Sequence, residues 1–187
     1  MADRPFAYSI HPDDTIASVS DAWLEFADEN RAPELTRDHV VGRSLWSFVA
    51  GSETRTLYEA LFHRVRTRAE SFDLPFRCDS PDRYRFMRLV LKPGPGGSVD
   101  CEGILVRDQA RPFYSILDRA FPRSTARLPM CSLCKRLYAL ESQWLELEVA
   151  IERMDLFDTA SLPELEYTVC DDCRSSVRRT SGSGAAA

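Results

Sequence analysis

No stretch of about 18 consecutive apolar residues, the least that crosses a bilayer, occurs in this chain of 187 residues. No basic segment followed by an apolar run opens it either, since it begins MADRPFAYSIHPDD; a protein of the cytoplasm, with no membrane attachment, is the expectation. Lysine is nearly missing, with Lys92 and Lys135 the only two among 24 basic residues, and 29 acidic residues leave a net charge of −5. Residues 1–110 carry −4 and the remainder −1. Neither part has the basic excess that neutralising a phosphate backbone requires, which disfavours nucleic acid as a partner. Three histidines leave little material for acid–base or haem chemistry. No phosphate-binding loop, nucleophile elbow, HExxH pair or kinase motif set is present, so no catalytic residue is assigned and an enzyme is not expected. Six cysteines are too few for a disulfide scaffold, which needs above about 8% of a short secreted chain. Where thiols stay reduced, paired cysteines point to metal or redox chemistry.

What the sequence does hold divides near residue 110. Phe6 to Ile10 and Ile16 to Val19 have strand character and flank HPDDT, a turn-forming run, which predicts a hairpin. DAWLEFADEN sets Trp23, Phe26 and Ala27 at i, i+3 and i+4, a short helix capped by Ser20 or Asp21. After an apolar cluster at Leu45, Trp46, Phe48 and Val49, residues 52–69 align Leu57, Leu61, Phe62 and Val65 on one stripe of a longer helix. Phe72 to Cys78, Tyr84 to Lys92 and Val99 to Val106 then read as strands, the last two joined by PGPGG. The expected class is α+β. The aromatic and apolar residues Trp23, Phe26, Trp46, Phe48, Tyr58, Phe62, Phe76 and Phe86 are candidates to line a ligand pocket between helices and sheet, or simply to form its core.

The segments IASVSDAWLEFADEN and VVGRSLWSFV, followed by the amphipathic helix and RTRAESFDLPFRCDSPDRYRFMRLVLKP, resemble the PAS domain, a sensory α/β module. The resemblance covers about residues 6–108. It implies a five-stranded antiparallel sheet with helices on one face, and often a small molecule or cofactor held between them. A domain at 1–110 is therefore expected. Beyond it, RPFYSILDRAF predicts a connector helix at about 111–121 and a polar linker up to Pro129. The closing SGSGAAA, residues 181–187, reads as a flexible tail or a cloning scar.

The strongest chemical signal is Cys131-Ser-Leu-Cys134 with Cys170-Asp-Asp-Cys173. A two-residue gap in a tight turn aims both thiolates to one side, and two such corners complete a tetrahedral shell. Zinc, iron with the same four ligands, a thiol–disulfide switch and chance core cysteines all remain readings of the pattern. Between the pairs, Trp144, Leu147, Ile151 and Met154 have helical spacing, and Tyr167 to Val169 has strand character. The second pair is placed to open a helix, with Asp171 and Asp172 in the first turn and Arg178 and Arg179 near the end. Lys135, Arg136 and Arg174 are expected to offset the charge of four thiolates. Cys78 and Cys101 fall on strands expected not to be neighbours, so no disulfide is predicted; Arg77 and Arg83 near Cys78 leave a reactive thiol open there.

Residues 129–179 resemble the small Cys₄ modules that follow sensory domains in bacterial signalling proteins, and the knuckle-then-helix layout looks like a treble-clef finger. A zinc-binding module at 130–180 follows, with Zn²⁺ as a structural cofactor and an unidentified small ligand in the sensory domain. The expected function is non-catalytic signalling: one domain senses a small ligand or partner, and the zinc module contacts a protein partner or a second copy of the chain. A nucleic-acid-associated regulator and a thiol/zinc redox switch are the alternatives.

Overall fold

The computed structural model describes residues 4–139, 142–157 and 160–180, with side chains through Val177. The tail at 181–187 lies outside the described residues, as do the side chains of Arg178 and Arg179.

Strands β1 (Phe6–Ile10) and β2 (Ile16–Val19) form the expected hairpin. Its turn closes with the His11 amide donating to the Thr15 carbonyl at 2.8 Å and the Thr15 amide to Asp13 Oδ1 at 3.1 Å. Helix α1 (Asp21–Glu29) begins where Ser20 Oγ accepts from the Trp23 amide at 3.2 Å, replacing a partner that the first turn of a helix lacks. Helix α2 (Arg37–Val40) and a 3₁₀ turn (Leu45–Ser47) lead to α3 (Ser52–Arg68). Leu61, Phe62 and Val65 bury the inner stripe of α3, as the 3.6-residue period requires.

Strands β3 (Phe72–Arg77), β4 (Arg83–Pro93) and β5 (Val99–Ala110) complete a five-stranded antiparallel sheet of order β2-β1-β5-β4-β3. Along β4 burial alternates strictly from Arg85 through Met87 and Leu89 to Leu91, because successive side chains point to opposite faces.

A second, four-stranded sheet has the order β8-β7-β6-β9. It comprises β6 (Arg123–Cys131), β7 (Leu137–Ala139), β8 (Gln143–Leu145) and β9 (Leu162–Thr168), with β9 parallel to β6. Helix α4 (Leu147–Arg153) packs on it, and α5 (Asp171–Thr180) closes the described chain. Among the described residues no helix is long and apolar enough to cross a membrane.

Three sequence expectations are corrected here. Residues 111–121 form no connector helix but an irregular stretch with one 3₁₀ turn, Ser115–Leu117. Pro112 lacks an amide proton, and the amides of Arg111 and Tyr114 donate instead to the carbonyls of Asp82 and Pro81 at 3.0 and 2.8 Å. Tertiary partners thus take the groups a helix would have used. The polar linker to Pro129 is largely β6, held by a parallel ladder to β9 some 40 residues away. Trp144 lies on β8, not on a helix, and faces Tyr138 across a hairpin at a ring-centroid distance of 5.2 Å; α4 keeps only Leu147 and Ile151 of the four-residue pattern, with Met154 at its cap.

The two sheets share a core. Cys131, Leu133, Val169, Cys170 and Val177 belong to the same buried cluster as Ile10, Phe62, Leu74 and Leu91 of the first sheet and its helices. A smaller cluster around Met130, Leu137 and Leu162 joins the second sheet to Leu147 and Ile151 of α4 and to Ile116 of the 3₁₀ turn at Ser115–Leu117.

Candidate metal centre

The first cysteine pair sits where β6 runs into a tight turn. The Cys131 amide donates to the Arg136 carbonyl at 2.8 Å, the Lys135 amide to the Cys131 carbonyl at 2.9 Å, and Lys135 takes the left-handed conformation at φ 64° that reverses the chain. The second pair straddles the start of α5, with Cys170 just before the helix and Cys173 in its first turn; the Arg174 amide donates to the Cys170 carbonyl at 2.9 Å. Asp171 and Asp172 lie in that first turn as expected, favourable to the helix dipole.

The four sulfurs converge, all within 4.8 Å of one another. Cys134 Sγ and Cys170 Sγ are 3.7 Å apart, and the Cys170 amide donates to Cys131 Sγ at 3.4 Å. No pair is joined as a disulfide. Cys131 and Cys170 are buried, Cys134 and Cys173 half-buried. The four thiols act strongly on one another. Hydrogen bonds from Cys134, then Cys170 and Cys173, draw the Cys131 thiol well below its ordinary range, while Cys131, Cys134 and Cys170 push Cys173 well above it. A cation is held by such thiols in their deprotonated form. This group can hold a metal ion.

Elements far away in sequence hold both knuckles. Thr54 Oγ1, near the start of α3, is 2.6 Å from Ser132 Oγ, and the Arg77 amide at the end of β3 donates to the Leu133 carbonyl at 2.7 Å. Glu53 accepts from the Thr168 hydroxyl, from the Val169 amide at 3.4 Å and from Arg174 Nη2 at 2.9 Å. The first turn of α3 therefore clamps both knuckles at once.

The neighbouring cations do not simply face the thiolates. Arg136 donates to Glu146 Oε1 at 2.8 Å and Asp172 Oδ2 at 2.7 Å, and Arg174 is tied to Glu53. Lys135 Nζ donates to the Ser132 carbonyl at 2.9 Å and lies over the Tyr167 ring. Behind the first knuckle, Asp79 has a side chain with 0% exposure and pairs with Arg77 and, at 3.0 Å, with Arg111. Glu148 of α4 adds bridges to both arginines at 3.3 and 3.2 Å. Sequence spacing could not show this network, because its partners are separated by up to 71 positions.

The eight candidate pocket residues are divided between the main core and the surface. Trp46 and Tyr58 pack on Phe62 with centroids 5.9 and 5.8 Å apart, and Trp23 and Phe76 lie against the same core. Phe26 stacks on Phe6 at 4.4 Å, and Phe48 and Phe86 are more than a third exposed. Cys101 has 0% exposure, and burial pushes its thiol up to about 12. Cys78, half-buried, is also pushed up by burial. Of the two arginines near it in sequence, Arg77 is bound to Asp79, and Arg83 to Asp108 at 2.8 Å. Both cysteines are free, with β4 between their strands. His63 is exposed on the outer side of α3.

No protein family model, curated protein or solved structure matches the chain.

Proposed function

We propose that this chain is a non-catalytic regulatory protein in which a PAS-like sensory sheet is bound rigidly to a structural Zn²⁺ centre at Cys131, Cys134, Cys170 and Cys173, its output passing to a protein partner. The observation that carries the metal assignment is the convergence of four sulfurs. A tetrahedral ion with Zn–S bonds near 2.3 Å separates its ligands by about 3.8 Å, and the Cys134–Cys170 distance is 3.7 Å. Four ligands close the shell, which suits a structural ion and leaves no position for substrate.

The sensory reading is supported by the strand order β2-β1-β5-β4-β3 with α3 packed across the sheet. It is supported too by the clamp through which α3 touches both knuckles, since any shift of that helix reaches the metal centre directly. Native mass spectrometry of the full chain as purified, combined with elemental analysis, tests the proposal. One zinc per chain, lost in Cys134→Ser with Cys173→Ser, is expected; iron or no metal rejects the zinc assignment. A retained organic molecule identifies the sensed ligand, and a dimer places a second copy among the partners.

A further inference from the structure

Between α3 and α5 lies a half-open cavity of about 300 Å³. Leu57, Ala60 and Leu61 of α3 form one wall, and Val169 and Val177, on either side of the second cysteine pair, form the other. Leu61, Val169 and Val177 are 3, 4 and 6% exposed, so the floor is the main hydrophobic cluster itself. None of the eight aromatic pocket candidates lines it.

The charged groups at its mouth already have partners. Glu53 pairs with Arg174 at 2.9 Å, and Arg64 with Glu70. An ionic ligand would have to break one of these pairs; an uncharged one would not. Ser52 and Thr56 also line the space, and a hydroxyl on either is able to hydrogen-bond one polar group. An apolar cavity of about 150 Å³ is enough for benzene, so this one accommodates a body of one or two rings. Its size falls at the lower end of small-molecule sites.

We propose that the α3–α5 cavity is a binding site for a small uncharged molecule with an aromatic or alicyclic body and a single hydrogen-bonding group, and that its occupancy is linked to that of the metal centre. The linkage follows from construction: Val169 precedes Cys170 and Arg174 follows Cys173, so one wall moves with half of the ligand set. Reciprocity then requires that whatever stabilises the wall also holds the metal. The linkage rests on the zinc reading above; the binding site does not.

Indole is the probe, titrated into the isotope-labelled full chain as purified and followed by amide chemical shifts. Saturable shifts confined to residues 52–64 and 169–177 are expected. Ala60→Phe, a substitution at an exposed position of the wall, should weaken binding at least tenfold, as should Thr56→Trp, while Ala60→Ser leaves it within twofold. Indole at saturation should slow chelator-driven metal release at least threefold in the parent protein and not in Ala60→Phe. Absence of saturation, shifts spread over both sheets, or tighter binding of indole-3-carboxylate than of indole overturns the site. A loss of dimer in Ala60→Phe without indole binding gives the cavity to a second copy of the chain and overturns it as well. Confined binding with unchanged metal release overturns the linkage alone, and a chain without metal that still binds indole rejects the zinc reading and not the site.

Discussion

Gly51 meets two constraints at one position. Its φ of 87° lies where L side chains are strained, and a β-carbon there would come within 2.1 Å of the Tyr167 carbonyl oxygen. Helix α3 can therefore start against β9 only if this residue lacks a side chain. Gly42 has a comparable φ of 79° with nothing within 4 Å of the same imaginary atom, so the pair separates backbone strain from steric clash. Gly42→Ala should cost about 1–2 kcal/mol, the usual penalty of left-handed backbone; Gly51→Ala should cost more than about 3 kcal/mol, because the clash is with rigid main chain. Urea denaturation of the two variants reads the difference, and equal losses would refute the close approach. Asp79 is a second residue where burial sets the stakes. Its carboxylate has 0% exposure between two arginines, and Asp79→Ala would leave both guanidinium groups buried without it, a loss of about 3–5 kcal/mol. Unfolding at unchanged m-value should show it.

The first turn of α3 is the element on which the two sheets meet, and Glu53 is its acidic group. Its carboxyl is held below the ordinary value of 4.5, first by the hydrogen bond from Thr168, then by the Val169 amide and Arg174. A carboxylate depressed in the folded state adds stability above its unfolded pKa and loses it as pH falls through the folded pKa. The clamp is therefore intact at neutral pH, and its contribution is lost in acid, from about pH 4.5 downward through the lowered folded value. In Glu53→Gln the drop in melting temperature between pH 6 and pH 3.5 should be smaller than in the parent; an identical drop would remove Glu53 from the clamp.

At this scale the sequence is a good guide wherever local rules decide. The HPDDT turn, the Ser20 cap, the stripe on α3 and the alternation of β4 all follow from near neighbours. It misleads where distant partners decide. The helical spacing from Trp144 to Met154 is real, yet a cross-strand partner at Tyr138 takes Trp144 into β8. Residues 111–121 have apolar content fit for a helix, yet their amides are claimed by the loop before β4. The four cysteines were legible because their spacing is local within each knuckle; Glu53, Thr54 and Arg77, which position those knuckles, are 56 to 121 residues from the groups they hold and leave no local trace.

On the scale of the molecule, the four-cysteine centre is not an appendage to a finished domain. Cys131 and Cys170 are part of the core that also contains Phe62, Leu74 and Leu91, while the Asp79 network ties β3 and the end of β5 to α4. A structure joined by one hydrophobic cluster, one clamp and one buried ionic network should unfold as a unit. Tryptophan positions allow this to be tested: Trp23 and Trp46 pack on the shared core from α1 and the 3₁₀ turn at Leu45–Ser47, and Trp144 packs on it from β8 of the second sheet. Trp144→Phe reports unfolding from the first region, and the Trp23→Phe/Trp46→Phe double variant from the second. In urea the two fluorescence curves should share one midpoint. Chelation should move both midpoints down together, since ligation of a Cys₄ site is worth on the order of 10 kcal/mol in small metal-dependent folds and this one sits at the shared core. Separate midpoints, or a chelator effect confined to Trp144, would show instead that the first sheet stands without the cysteine centre, and α3 could then carry no signal between them.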